Sequence, residues 1–291
     1  MKSYKKPIVI AEIGCNHKGD IEIAKELILL AKTCGADYAK FQKRYPKELL
    51  TEEQYNAPHP NEMHAYGKTY GEHREFLEFS AVQHAELKEF CKNNNIGYSC
   101  SVWDITSAKE ISALNPDYIK IPSACNNHYE MLEYLIKNYK GYIQISLGMT
   151  TKQEEAEIIS LFEKYNAAKD RLILFSCTSG YPVAFEDVSM LEIDRLKDSY
   201  ENKVKEFGFS GHHLGIAVDI AAYTLGARWI ERHFTKDRTW KGTDHAASLE
   251  APGMSKLVRD LNAAYKSLTY KRSEILQVEQ TQREKLKYRK K

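Results

Sequence analysis

Trp229-Ile-Glu-Arg-His-Phe-Thr-Lys-Asp-Arg-Thr-Trp-Lys-Gly-Thr-Asp-His245 is the stretch from which the rest of the chain can be read. A short apolar run, of the length and composition of a buried strand, ends in Glu231 and His233. A polar loop carrying Asp244 follows. Upstream, Gly208-Phe-Ser-Gly-His-His213 repeats the arrangement and presents His212. Two strand ends that each carry a histidine, with carboxylates beside them, offer the donors a divalent metal takes. That pattern points to an enzyme.

Working outward, the same kind of run recurs. Ile8–Gly14, Tyr38–Gln42, Ile96–Ser101, Tyr118–Pro122, Tyr142–Ser146, Leu172–Cys177 and Phe207–Ser210 precede Trp229–Phe234, eight in all. Helix-like stretches lie between them. Ile21–Ala36 places apolar residues near a 3.6 spacing and meets Gly35 at its end. Thr151–Tyr165 opens with Thr150-Thr151 ahead of Glu154 and Glu155, an N-terminal capping pattern. Eight βα units specify a parallel sheet, and closure into a (β/α)8 barrel of the TIM type is the economical solution. A doubly wound open sheet is the alternative, but no glycine fingerprint follows the first strand. The length of 291 residues suits one such barrel, which takes about 250. We expect a single barrel domain over residues 1–270 and a charged extension, solvated or helical, over 271–291. The last barrel helix is expected over Met254–Tyr270. The connection from Lys43 to about Ser80 is too long for an ordinary βα loop, and it reads as a cover for the active site.

Bulk properties exclude several classes. A net charge of +2 argues against nucleic acid or an anionic membrane as the main partner. Six scattered cysteines without a Cys-x-x-Cys pair read as a reduced, cytoplasmic protein. The N-terminal apolar run soon meets Glu12 and is too short for a signal peptide or a membrane span.

In a barrel of this kind the chemistry sits at the C-terminal ends of the strands. Those ends offer Glu12, Asn16 and His17; Lys40 and Gln42; Ser99 and Ser101; then Lys120 and Ser123. Ser146, Ser179 and Tyr181, Ser210 and His212, and Glu231 and His233 follow. Lysines among hydroxyls suit an oxyanion such as phosphate. A histidine pair beside a carboxylate suits a divalent metal, and imidazole favours Mn, Fe, Co or Zn over Mg.

At this point the residues resemble a family. Ala11-Glu-Ile-Gly-Cys-Asn-His-Lys-Gly19 is similar to the opening motif of the sialic acid synthases. Lys40-Phe-Gln42, Lys120-Ile-Pro-Ser123, Ser146-Leu-Gly-Met149, Cys177-Thr-Ser-Gly-Tyr-Pro182, Gly208–His212, Glu231–Thr235 and Gly242–Glu250 continue the resemblance in order. The resemblance implies condensation of phosphoenolpyruvate with the open-chain aldehyde of an N-acylmannosamine, free or as its 6-phosphate, with release of phosphate. It implies His212 and His233 as metal ligands, usually for Mn²⁺, with Mg²⁺ or Co²⁺ as alternatives. It places Lys40, Ser101, Lys120, Ser123, Ser146, Ser179 and Ser210 around phosphoenolpyruvate. Gln42, Tyr181, Glu231 and Asp244 fall near the sugar, Glu12 is the acid or base, and Lys40, Lys120 and Asp244 complete the catalytic set. A homodimer is implied as well. Another phosphoenolpyruvate-dependent sugar-acid synthase, or a barrel without catalytic activity, is the alternative.

The chain also departs from the pattern. Many bacterial members continue into an antifreeze-like domain whose arginine reaches the partner's sugar site, and this chain is expected to lack it. Lys68, Tyr70, His73 and Arg74 in the long connection are candidate replacements. Tyr66–Arg74 is similar to the animal branch, which takes a 6-phosphate, so Arg74 or Lys68 is the candidate contact to an acceptor phosphate, and a loop that only shields the site is the alternative.

Overall fold

The computed structural model describes residues 3–288. Among them eight strands form a closed parallel barrel. They are β1 (Ile8–Gly14), β2 (Tyr38–Lys43), β3 (Gly97–Val102), β4 (Tyr118–Ile121), β5 (Tyr142–Ser146), β6 (Leu172–Cys177), β7 (Glu206–Gly211) and β8 (Trp229–His233). Each pairs with the next, and β8 closes on β1. The protein is a (β/α)8 TIM barrel.

Register decides which side chains share the interior, because alternate residues of a strand face opposite ways. Glu12 lies opposite Lys40 on one side and His233 on the other. Ser101 lies opposite Lys120, and Ser210 opposite Cys177 and Glu231. These residues therefore point inward together. Their neighbours Ala11, Phe41, Ile119, Ile121, Ile143 and Ile145 point outward and are buried against the helices. Lower in the interior Ile10, Tyr118, Ile173, Phe175 and Trp229 form a separate apolar cluster. The Tyr118 ring meets Tyr38 and Trp229 edge-on, with centroids 5.0 and 5.5 Å away. Gly208 leaves room for Phe175, since a Cβ there would lie 2.6 Å from the ring.

The helices obey their sequence signals. Ile21–Thr33 starts at Asp20, which accepts from the Glu22 and Ile23 amides, and buries Ala24, Leu27, Ile28 and Ala31. Gly35 then turns the chain at φ +87°. Thr151 and Glu154 form the capping box of Lys152–Lys164. The last barrel helix, Ala251–Ser267, begins before the expected Met254, because Pro252 is tolerated in a first turn. Gln277–Leu286 is a further helix with no buried residue. Among the described residues no helix is long and apolar enough to cross a membrane.

The long connection after β2 has secondary structure of its own. It folds into short helices, Pro46–Leu49, Glu52–Asn56 and Tyr70–Leu77, the last two opened by capping boxes at Thr51 and Thr69. Tyr66 Oη donates to the Lys241 carbonyl at 2.5 Å, and the Gly242 amide donates to His64 Nδ1 at 3.1 Å. The excursion is thus tied to the loop that carries Asp244.

Candidate active site

A cavity of about 300 Å³ opens at the C-terminal ends of the strands. It gathers Glu12, Lys40, Gln42, Ser101, Lys120, Ser123, Ser146, Ser179, Tyr181, Ser210, His212, Glu231 and His233 on one wall or another. Each strand contributes, because the polar residues fall on the same inward alternation as the apolar cluster beneath. Asp244 and Arg74 do not line the cavity. Asp244 stands behind His233, with Oδ2 3.9 Å from Nδ1. Arg74 turns back along its own helix, where Nε donates to the Tyr70 hydroxyl at 3.0 Å. Trp103, Met149 and Cys177 line it as well.

The floor of the cavity is a network of buried charges. Lys40 and Lys120 are each 2% exposed. Lys40 pairs with Glu12, donates to Ser101 Oγ at 2.6 Å, and lies 3.6 Å from Glu231. Lys120 donates to Glu231 Oε2 at 3.1 Å and sits 3.4 Å above the Phe175 ring centroid. Ser210 Oγ donates to the other oxygen of Glu231 at 3.0 Å. Two positive and two negative groups share one buried floor, and losing every charge of one sign would strand the other. Burial acts against charge on both lysines, yet the outcomes differ. Glu12 and Glu231 together leave the Lys40 ammonium above its ordinary range. Lys120 faces Glu231 and the like charge of Lys40, so burial prevails and its ammonium is held low. Burial would raise the Glu231 carboxyl, but the two lysines and Ser210 hold it well below the carboxylate range.

Above the floor lies a ring of small donors. Ser123 Oγ accepts from the Gly148 amide at 3.1 Å. A Cβ on Gly148 would lie 2.5 Å from Ser179 Oγ and 2.7 Å from Ser123 Oγ. Glycine here lets backbone and hydroxyls converge on one spot, as an oxyanion site requires. Gly14, at φ +55°, sits where the β1 register shifts, and a Cβ there would crowd Gln42 and Glu12.

The imidazoles form a third group. The His212 and His233 ring centroids are 5.5 Å apart, and Tyr181 packs on His212 at 4.3 Å. His212 Nδ1 bonds the Thr178 carbonyl at 3.0 Å, which makes that nitrogen the donor and leaves the other as a lone pair. Burial, with the neighbouring His233, pushes His212 down to about 4, so it is neutral near pH 7. His233 Nδ1 is buried without a hydrogen-bond partner. A neutral imidazole with a fixed tautomer and an orphaned ring nitrogen beside it fit a divalent ion. Among the described residues no group of three or more such donors is assembled, so the protein's share would be the two histidines.

The flanking histidines are structural. His17 stacks on Phe79 at 4.0 Å and accepts from the Gly19 amide, serving a turn without touching Glu12. His213 is buried between Arg232 at 3.1 Å and Asp219 at 3.3 Å. His245 Nδ1 bonds the Thr235 hydroxyl at 2.7 Å. A buried cation next to Gln42 escaped the sequence reading. Arg44, just past β2, is 4% exposed and contacts Gln42, Cys15 and Glu78. Its position in a Lys-Arg pair at a loop start looks like ordinary surface charge.

The lysines, carboxylates, hydroxyls and paired imidazoles at the mouth of this TIM barrel lie in the motifs that resemble the sialic acid synthases. The model of the NeuB family matches residues 27–273, and the chain belongs to that family. It is 36% identical to the N-acetylneuraminate-9-phosphate synthase of Homo sapiens over 96% of this chain and 76% of that protein. It is 33% identical to the N,N'-diacetyllegionaminic acid synthase of Campylobacter jejuni over 91% of this chain and 78% of that one. The crystal structure of an N-acetylneuraminic acid synthetase from Leptospira borgpetersenii superposes with a TM-score of 0.81 at 26% identity, covering 98% of this chain and 94% of that one.

Proposed function

We propose that the protein is a nonulosonic acid synthase. It condenses phosphoenolpyruvate with the open-chain aldehyde of an N-acylated mannosamine, free or as the 6-phosphate, and releases phosphate. The observation that carries the reading is the convergence of two buried lysines, the Ser123–Gly148–Ser179 cradle and two imidazoles on one cavity. Membership of the NeuB family supports it.

Phosphoenolpyruvate enters as a multiply charged anion. Lys40 and Lys120 exchange their carboxylate partners for its anionic oxygens, and the serine ring supplies neutral donors. Both lysines are already desolvated, so their charges act at low dielectric without reorganising water. His212 and His233 would hold a divalent ion, Mn²⁺ by the resemblance, which when bound supplies Lewis-acid polarisation of the aldehyde oxygen. C3 of phosphoenolpyruvate forms the new bond to the aldehyde carbon, and C2 takes up water. Glu12 accepts one proton of that water and returns it to the alkoxide formed from the aldehyde, and the tetrahedral carbon expels phosphate as its hydroxyl gives up the second proton to the departing group. Tyr181 and the remaining amide hydrogen of Gln42 face the sugar side. One phosphoenolpyruvate, one aldehyde and one water yield one sugar acid and one phosphate.

The test is product identity. Incubation with phosphoenolpyruvate, Mn²⁺ and N-acetylmannosamine or its 6-phosphate, followed by mass spectrometry, is expected to show a 3-deoxy-2-keto acid carrying every carbon of both substrates. Unchanged phosphoenolpyruvate with both sugars would contradict the reading.

A further inference from the structure

The hydrogen bonds of Gln42 admit a single amide orientation. One end faces Arg44 Nη2 and the other lies 2.7 Å from Glu12 Oε1. A guanidinium can only donate and a carboxylate can only accept. The end at Arg44 is therefore the oxygen, and the end at Glu12 is the nitrogen. This follows from the chemistry of the partners, whichever way an amide is drawn.

Arg44 is itself immobilised. Its Nη1 donates to Glu78 Oε1 at 3.1 Å and to Cys15 Sγ at 3.2 Å, and its guanidinium lies 4.3 Å over the Trp103 ring. Its own backbone amide donates to the second Glu78 oxygen at 2.8 Å. Glu78 ends the helix Tyr70–Leu77 of the excursion. Arg44 does not line the cavity.

We propose that Arg44 is a positioning residue for the Glu12 carboxylate and acts through Gln42. The chain Glu78–Arg44–Gln42–Glu12–Lys40 runs from the excursion to the cavity floor, and each link offers its neighbour one kind of hydrogen-bonding atom. Gln42 claims Oε1 of Glu12, which leaves Oε2 to Lys40. Without Arg44 the amide is free to turn its oxygen toward the carboxylate. Like partial charges would then meet, and Glu12 would leave the geometry that proton transfer needs. The catalytic consequence rests on the synthase reading above. The clamp itself does not.

The experiment uses Arg44→Lys, Gln42→Leu and the double variant in the full chain. Lysine keeps a positive charge beside Glu78 but has no planar fork to span Glu78 and Gln42 together. Each single variant is expected to lower kcat about tenfold, the scale of one lost positioning hydrogen bond, with the KM for phosphoenolpyruvate unchanged. The double variant is expected to fall no further than the worse single, because both break one chain. Wild-type kcat in Arg44→Lys, or losses that multiply in the double variant, would overturn the inference. If Arg44→Lys does not fold, Arg44→Gln with Glu78→Gln replaces it without stranding a charge. A crystal structure of the variant reads the clamp directly. Gln42 is expected to have left Glu12, and a contact still at 2.7 Å would overturn the inference. If the wild-type protein turns over no acceptor, the synthase reading fails and the crystal structure still decides the clamp.

Discussion

The lower and upper halves of the barrel interior are made by the same strands, two residues apart, and they are opposite in character. Ile10, Tyr118, Phe175 and Trp229 belong to the apolar cluster. One inward step further along each strand stand Glu12, Lys120, Cys177 and Glu231, which line the cavity. Strand direction thus divides stability from chemistry. The lower half buries hydrocarbon, at roughly 1.5–3 kcal/mol per large side chain. The upper half buries four charges that must satisfy one another, an arrangement that rarely stabilises a fold. The groups proposed to bind phosphate and move the proton are therefore held above an apolar layer that the proposed reaction does not use.

The largest effect should come from the upper half. Lys120→Met is expected to lower kcat/KM for phosphate release by about 10³-fold, the scale of a lost oxyanion-stabilising group. Its melting temperature should fall only modestly, because Ser210 and Lys40 still face the Glu231 charge that the substitution strands in part. Parallel kinetics and thermal melts check this, and a collapse of stability would erase the division.

Ile173→Ala probes the lower half. Truncating this fully buried side chain should cost about 2–5 kcal/mol in urea unfolding, while the folded fraction keeps its kcat. Lost turnover at full stability would break the comparison from the other side.

Acid should act on the shell around the barrel. Burial pushes His17 and His84 down to about 3, so both are neutral in the native protein. Unfolded histidine titrates near 6.5, so the unfolded chain binds more protons as pH falls below that value. The stability these residues contribute is complete above about pH 6.5 and lost progressively as pH falls toward 3. At pH 5 each should have cost about 2 kcal/mol relative to neutral pH. Urea melts at pH 7.5 and 5 should show a smaller decrement in His84→Asn than in the wild-type protein.

Smaller effects sharpen the upper half. Gly148→Ala pushes a methyl group between Ser123 and Ser179 and should raise the KM for phosphoenolpyruvate about tenfold, more than that for the sugar. Arg74→Ala tests whether the excursion reads an acceptor phosphate. It should raise the KM for a 6-phosphorylated acceptor several-fold more than for the free sugar, on the order of one exposed charge pair. Equal changes would return Arg74 to a structural part beside Tyr70.

The barrel was legible because alternation and length are local signals. Each of the eight apolar runs became a strand, with ends displaced by a residue or two, as at Phe207–Ser210 against Glu206–Gly211. The inward polar set was legible for the same reason, since Glu12, Lys120 and Glu231 keep the period-2 phase of Ile10, Tyr118 and Trp229. What escaped depends on contacts distant in sequence. Arg44 reads as loop charge until Glu78 and Trp103 close over it. Gly148 reads as a turn until Ser123 and Ser179 arrive from two other strand ends. The helices of the excursion are too short for periodicity to show, although Thr51 with Gln54 and Thr69 with Glu72 are capping boxes in plain view.

The most direct measurement is phosphate release from phosphoenolpyruvate with Mn²⁺ present, compared across N-acetylmannosamine, its 6-phosphate, mannose 6-phosphate and no acceptor. The expected result is release that depends on an acceptor, with the preferred sugar naming the branch. Release equal with and without a sugar, or none with any of the three, would contradict the synthase account.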